Sequence, residues 1–297
     1  MTWLWIPFTV VAAAGQTARN AMQRELTASL GAVGATHVRF LFGFPFALLF
    51  LAGVTVWTRG VLPHTNETFW LSVISGAITQ IGGTALMLLT MAERSFVVTV
   101  ADLKTEPIFV AIFGLLFLHD PVTPLMALAI LIATAGVVTI SLRQGVQSAG
   151  GLRPALLGLS SGGMFAISAI GYRGAILSLG SAPFVMRSTF ALATGLTTQA
   201  LLLTVYLLIR DPRVLRDIVR MWRPSLFAGF TGALASEFWF LAFALATAAS
   251  VRTLGSIDVL FAQATQHIVF KEKTTWIEAI GIVLVIVGTV LIAWAES

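Results

Sequence analysis

Three features of the sequence together predict an all-α integral membrane protein. Of its 297 residues, 57% are hydrophobic and only 10% are charged, a composition typical of polytopic membrane proteins. Its apolar stretches are continuous, without the alternation of apolar and polar residues found in the strands of membrane barrels. Most stretches have the length of about 20 residues that a helix needs to cross a bilayer. We therefore expect a bundle of membrane-spanning helices joined mostly by short loops.

Ten apolar segments can be delimited along the chain. They cover residues 3–28, 36–57, 68–92, 95–118, 122–142, 154–177, 182–209, 224–249, 250–270 and 275–295. The first segment has no basic region before it, which favours a first span over a cleaved signal peptide. We expect these segments to form ten transmembrane helices.

The fourth segment, residues 95–118, carries charges at its centre. Asp102, Lys104 and Glu106 stand there, followed by Pro107. A charge in the middle of a bilayer costs at least ~2.5 kcal/mol, so such residues are paired, turned inward or functional. Proline lacks an amide hydrogen and clashes with the preceding turn, so we expect the helix to bend at Pro107. A kinked helix with a packed ion pair is one interpretation, but three charges at a break favour a site with a hinge.

Polar residues also interrupt the first and third segments. Gln16, Arg19, Asn20 and Gln23 recur at spacings of three and four residues, which places them on one helical face. Such a stripe faces other helices or water, so it either holds helices together or lines a cavity. Gln80 lies among small residues of the third segment and is a further candidate for the lining of a path.

The second half of the chain has isolated charges of its own. Glu237 lies in an apolar stretch beside Trp239. A single acid there either pairs with Lys104 or an arginine, or binds an ion itself. Arg252 and Asp258 lie in the ninth segment, and we expect Arg252 to balance the acids of the site.

The longest basic stretch, residues 210–225, connects the seventh and eighth segments. Asp211 suits an N-cap and Pro212 the first helical position. The following apolar residues share one helical side, and four arginines share the other: Val214, Leu215, Ile218, Val219 and Trp222 against Arg213, Arg216, Arg220 and Arg223. We expect an amphipathic helix lying on anionic lipid headgroups, with nucleic-acid binding as the weaker alternative.

The two halves of the chain resemble each other in sequence. Residues 115–123 align with residues 267–275, and the same offset places Glu106 over Asp258. A shorter match relates the residues around Arg39 to those around Arg187. These matches predict an internal repeat.

The repeat predicts two units of five helices, residues 1–148 and residues 149–297. An odd number of spans inverts the second unit relative to the first, so a pseudo-two-fold axis should lie in the membrane plane. Transporters built in this way bind their substrates between the repeats, near the middle of the membrane. We therefore expect Glu106 and Asp258 to point toward that axis.

Ten spans in two halves resemble the EamA-type permeases of the drug/metabolite transporter superfamily. In each half an apolar helix ends in a phenylalanine followed by an acid, Phe117 with Asp120 and Phe270 with Glu272. Pro107 matches a proline in the fourth helix of that family. The resemblance implies transport of amino acids, drugs or other metabolites, commonly as export and in some members coupled to protons.

These observations favour a secondary transporter for an amino acid or a similar zwitterion or organic cation, exported by alternating access at a central cavity. The candidate substrate- or ion-binding residues are Asp102, Lys104, Glu106, Glu237, Arg252, Asp258, Gln16, Asn20, Gln80 and Trp239, with Pro107 as the hinge. The sequence indicates no cofactor and no metal site.

Three alternatives stay open: an exchanger of another metabolite class, an intramembrane enzyme, and a non-transporting membrane subunit. The four histidines are scattered near the ends of spans, without a motif of a metalloprotease or a serine hydrolase, which disfavours the enzyme. The expected partners are the small-molecule substrate, membrane lipid and protons, but no nucleic acid. We expect a monomer or homodimer in a bacterial inner (plasma) membrane.

Overall fold

The computed structural model describes residues 2–93, 103, 106–145, 152–261 and 275–296. Within these ranges the chain forms helices and turns, and no strand occurs. The predicted all-α class is therefore confirmed for the described part of the chain.

The described ranges contain eleven α-helices. The first six are α1 (Trp5–Leu41), α2 (Phe44–Thr58), α3 (Glu67–Glu93), α4 (Glu106–Phe113), α5 (Pro124–Gly145) and α6 (Leu152–Ser178). They continue with α7 (Phe184–Arg210), α8 (Pro212–Arg220), α9 (Trp222–Leu245), α10 (Ala248–Leu254) and α11 (Trp276–Ala295). In the described ranges, five helical stretches are long and apolar enough to cross a membrane. One of the five, Trp5–Thr58, covers the first two predicted segments.

Helix α1 is longer than one span because it continues through a break. Gly31 has φ 69° and ψ 171°, backbone angles that a residue with a Cβ avoids, so the chain changes direction there. Gln23 donates a hydrogen bond from Nε2 to the carbonyl of Ala35 at 3.0 Å. This bond ties the helix before the break to the helix after it. Gly31 thus forms the connection between the first two predicted segments, which the sequence places at residues 29–35.

Large apolar side chains remain exposed on the outer faces of the helices. Leu49 of α2 is 65% exposed, and Leu201 of α7 and Val290 of α11 are each 61% exposed. Contiguous apolar surface of this kind is unfavourable in water, and lipid is the solvent that matches it. The helices and their apolar surface fit an integral membrane protein.

Three helix pairs form the largest contacts of the bundle, α3 with α6, α5 with α11 and α1 with α9, followed by α2 with α7 and α7 with α9. Glycine allows the backbones of two pairs to approach closely. A Cβ on Gly288 of α11 would lie 2.6 Å from the backbone nitrogen of Ala133 in α5. A Cβ on Gly171 of α6 would lie 3.0 Å from the backbone nitrogen of Gly76 in α3. Small residues at such contacts are the usual means of close packing between membrane helices.

The amphipathic helix predicted after the seventh segment is confirmed as α8. The Asp211 side chain accepts a hydrogen bond from the amide of Arg213 at 3.2 Å, and Pro212 opens the helix. Ile218 is fully buried, and Val214 contacts the α1 backbone near Gly34. One face of α8 therefore packs on α1, while its arginines stay exposed.

Pro107 follows Glu106 in the described part of α4. Residues 104 and 105 lie outside the described residues, so the bend expected at Pro107 stays a prediction. The helix widens into a π-turn at Gly114–Leu118. In the second half, a 3₁₀ turn at Gly255–Ile257 follows α10. Both irregular stretches lie beside residues that the sequence singles out.

Candidate binding cavity between the two halves

The polar face of α1 borders a buried cavity between the helices. Residues of α1, α3, α6, α9 and α10 line it, together with Leu103, Glu106 and Asp258. Of the described residues in its wall, eight come from each predicted half of the chain. Its volume is about 40 Å³, room for a few water molecules. Small-molecule sites usually enclose about 300–1,000 Å³, so the helices must move apart to admit a metabolite.

The structure brings seven of the sequence-predicted candidates together at this cavity. They are Gln16, Asn20, Gln80, Glu106, Trp239, Arg252 and Asp258. Two further candidates, Asp102 and Lys104, lie outside the described residues. Glu106 and Asp258, which align between the two halves of the sequence, thus border one space. Their action as a functional pair stays a prediction.

The remaining candidate, Glu237, is buried away from the cavity wall. Its Oε1 accepts a hydrogen bond from the Thr189 hydroxyl of α7 at 2.5 Å. Among the described residues no group donates to its Oε2. Glu237 therefore links α9 to α7 and is not one of the lining residues.

An ion pair and two aromatic rings hold Arg252 in the wall. Its Nε lies 3.0 Å from Oε1 of Glu106. Its guanidinium lies 4.5 Å from the ring centroid of Trp239 and 5.3 Å from that of Phe243. Gly255 makes room for the indole, since a Cβ there would lie 2.3 Å from the Trp239 ring. Desolvated contacts of this kind between a cation and an aromatic face contribute about 2 kcal/mol.

Two more arginines, Arg19 and Arg39, enter the cavity from α1. Nε and Nη2 of Arg19 donate to Oδ1 of Asn20 at 3.2 and 2.7 Å. Arg39 donates to the hydroxyls of Thr84 and Ser236 at 3.3 and 3.4 Å. All of these acceptors are neutral.

The polar stripe of α1 serves both purposes that the sequence left open. Gln16, Arg19 and Asn20 line the cavity, whereas Gln23 bonds to the backbone beyond the Gly31 break. The helix periodicity cannot separate these roles, because all four residues share one face.

Sequence reasoning did not assign Arg39 or Tyr172 to the site, yet both line the cavity. The sequence could have identified Arg39, because a lone arginine inside an apolar segment is by default a functional candidate. It could not have identified Tyr172, since an aromatic residue in a membrane helix more often packs against other helices than binds a ligand. Its ring fits between Phe240, at a centroid distance of 4.7 Å, and Gly195 of α7. Gln199 was also missed: it donates from Nε2 to Oε1 of Gln80 at 2.8 Å.

A second buried charge cluster lies around Arg173 of α6. Its Nε and Nη2 donate to the two carboxylate oxygens of Asp120 at 2.9 and 3.0 Å. Its Nη1 donates to the carbonyls of Phe243 and Ala246 at the end of α9. The cluster joins α6, the connection before α5, and the end of α9.

Fold and cavity together define an integral membrane protein whose helices enclose a charged, buried space. The family model described as the EamA-like transporter family matches residues 152–294. The resemblance to the EamA-type permeases is thereby confirmed in the second half of the chain. EamA belongs to the drug/metabolite transporter superfamily, so residues 152–294 resemble membrane transporters of that type.

A solved structure, described only as the crystal structure of a protein, shares the fold. The TM-score is 0.69 over 98% of this chain and 94% of the other, at 12% sequence identity. At this identity the likeness shows the fold alone. No curated protein sequence matches the chain.

Proposed function

We propose that the protein is a secondary transporter that moves a small metabolite by alternating access at the cavity between its halves. The observation that carries the proposal is the composition of the cavity wall, to which each half contributes eight described residues, acids and arginines among them. Charges buried at membrane depth are expensive, and such residues usually mark a substrate or ion pathway. A cavity shared by two halves can open to one side or the other when the halves rock.

We propose ten spans in two inverted units, residues 1–148 and residues 149–297. The pairing of helices supports this arrangement. Contact of α1 with α9 joins predicted spans one and eight, and contact of α3 with α6 joins spans three and six. If each span is replaced by its counterpart in the other half, spans one and eight become spans six and three, so the first pair becomes the second. The pairs of α2 with α7 and α5 with α11 each map onto themselves.

The substrate class follows from the mixed charges of the wall and from the family resemblance. Arg19, Arg39 and Arg252 stand with Glu106 and Asp258 at one cavity, which suits a molecule that carries both signs of charge. We propose an amino acid or a similar zwitterion, moved outward from a bacterial cell with protons as the coupling ion. An organic cation or another exchanged metabolite is the alternative within the same class.

Thermal unfolding of the purified protein tests binding first. Amino acids, polyamines and other small metabolites are screened for compounds that raise the apparent melting temperature, because a ligand of the folded state stabilises it by mass action. Each stabilising compound is then tested for exchange in proteoliposomes loaded with the same unlabelled compound. Accumulation of label beyond that in protein-free liposomes is the expected result. Binding without exchange contradicts transport, and chemical conversion of the compound favours an enzyme.

We further propose that the chain bends at Pro107 during transport, since a residue before proline avoids helical angles. The 3₁₀ turn at Gly255–Ile257 directly precedes Asp258 of the cavity wall, and such turns inside helices often mark hinges. Replacing Pro107 with alanine restores the amide and favours a straight helix.

Pro107→Ala should leave the protein folded and able to bind substrate but slow its exchange in proteoliposomes strongly. Pro124→Ala is the matched control, because Pro124 lies in the first turn of a helix that contributes no residue to the cavity wall, whereas the neighbour of Pro107, Glu106, lines it. Exchange at the wild-type rate in a well-expressed Pro107→Ala protein would show that the proline is a static kink.

A further inference from the structure

Several hydrogen-bond donors in the cavity wall have no acceptor among the described residues. They are Nη1 of Arg19, Nε of Arg39, the hydroxyl of Tyr172 and Nε1 of Trp239. All four residues are at least 96% buried, and all line the same cavity. A buried donor without an acceptor is destabilising, and more so when the group is charged. Because these unused donors lie at one cavity, a ligand that accepts hydrogen bonds would be stabilised there.

The partners that Arg19 and Arg39 do have are weak for a buried cation. Arg19 uses the amide oxygen of its own neighbour Asn20. Arg39 uses two hydroxyls at 3.3 and 3.4 Å, beyond the usual 2.7–2.9 Å of a charged hydrogen bond. In the described part of the chain neither arginine forms an ion pair with a carboxylate.

Packing fixes the two arginines on one side of the cavity. The stems of both lie over Gly232 of α9, where a Cβ would come within 3.1 Å of Arg19 and 3.4 Å of Arg39. Arg252 is a third positive charge near both, but it is already paired with Glu106. The positive potential at Arg19 and Arg39 is thus left without a described counter-ion. Removing an ion from water costs several kcal/mol unless an opposite charge compensates it.

We propose that Arg19 and Arg39, with the hydroxyl of Tyr172 and the indole of Trp239, form a subsite for an oxyanion group of the substrate. The planar guanidinium presents donors in the spacing of carboxylate and phosphate oxygens. The subsite rests on the proposed transport function and sharpens its substrate class: the molecule carries a carboxylate or a phosphate.

Three small probes separate the charge types. Thermal unfolding of the full-length protein in detergent is followed with sodium propionate, sodium methyl phosphate or ethylammonium chloride, at constant ionic strength. We expect an oxyanion to raise the apparent melting temperature and ethylammonium to leave it unchanged. A shift with propionate assigns a carboxylate, and a shift with methyl phosphate assigns a phosphate. Stabilisation by ethylammonium alone would overturn the subsite.

Three substitutions locate the binding groups. Arg19→Gln and Arg39→Gln should each weaken oxyanion binding about tenfold or more, without lowering stability in the absence of the probe, because each removes an uncompensated buried charge. Tyr172→Phe keeps the packed ring and removes only the hydroxyl, so it should weaken binding several-fold even if an arginine variant does not fold. An oxyanion shift of wild-type size in all three variants would overturn the proposal.

Arg187→Gln is the matched control. Arg187 is the residue that the sequence repeat aligns with Arg39, and it also has a buried nitrogen without a described partner, but it does not line the cavity. It should bind oxyanions as the wild type does. Transport in proteoliposomes separates the two proposals: transported compounds without an oxyanion contradict the subsite alone, whereas oxyanion binding without any exchange contradicts the transporter alone.

Discussion

Arg173 and Arg39 are both buried arginines, 8% and 3% exposed, yet their surroundings differ completely. Arg173 binds both oxygens of Asp120 and two backbone carbonyls at the end of α9. Arg39 lies 5.1 Å from the ring centroid of Phe40, donates to two hydroxyls at long distance and keeps its Nε without a described acceptor. The first guanidinium donates to charged and carbonyl oxygens within the protein from all three nitrogens, whereas the second has donors left.

This difference separates a structural charge from one available to a ligand. A buried arginine whose donors are all occupied holds helices together, and no ligand can compete without breaking several hydrogen bonds. A buried arginine with neutral, distant partners is unfavourable until an anion arrives. Burial alone therefore does not identify a binding residue in this protein; the use of its donors does. Four substitutions test this comparison, in order of expected effect.

The largest effect is expected at Asp120. Asp120→Asn leaves Arg173 buried without a counter-ion and should lower the free energy of unfolding by about 3–5 kcal/mol. Thermal unfolding in detergent measures the loss. Adding Arg173→Gln to the same protein should cost less than the sum of the two single changes, since groups in contact are not additive. An unchanged melting temperature in Asp120→Asn would mean that the cluster is not structural.

A smaller loss is expected at Trp239. Trp239→Leu removes the aromatic face under the Arg252 guanidinium and should cost about 2 kcal/mol, since the ion pair with Glu106 stays in place. The measurement is again thermal unfolding, with Trp70→Leu as the control, because Trp70 is 45% exposed and makes no described contact with a cation. Equal losses in the two variants would contradict a specific role for the stacked ring.

Thr189 should contribute about 1 kcal/mol. Thr189→Val keeps the shape of the side chain but removes the hydroxyl that donates to Glu237, and a net hydrogen bond contributes about 0.5–1.5 kcal/mol. Thr194→Val is the control in the same helix, because Thr194 bonds only to the carbonyl of Phe190 one turn earlier. If the two valine variants unfold at the same temperature, the bond to Glu237 adds nothing.

The smallest effect is expected on the surface of α8. Arg220 and Asp217 approach to 3.5 Å, but their side chains are 79% and 49% exposed, and water screens such pairs. Arg220→Gln should therefore change the free energy of unfolding by no more than about 0.5 kcal/mol. A loss as large as that of Asp120→Asn would break the distinction between the buried cluster and the surface pair.

The sequence by itself determined the features that depend on composition and on neighbouring residues. Long apolar runs dictate membrane helices, because an unpaired backbone is too costly in lipid. The Asp211–Pro212 pair starts α8, since the cap and the fixed proline angle act within one turn. These features need no knowledge of the partners across the bundle.

Only the tertiary structure decided which polar side chains meet. Glu237 and Asp258 are both isolated acids in apolar segments, yet Glu237 bonds to Thr189 of α7 whereas Asp258 lines the cavity. The sequence also could not predict that Arg19, Arg39 and Tyr172 meet at one cavity. These residues lie on α1 and α6, and a break separates the two arginines. The physical reason is that packing against neighbouring helices sets the rotation of a membrane helix about its axis. The sequence of a single segment does not determine that packing.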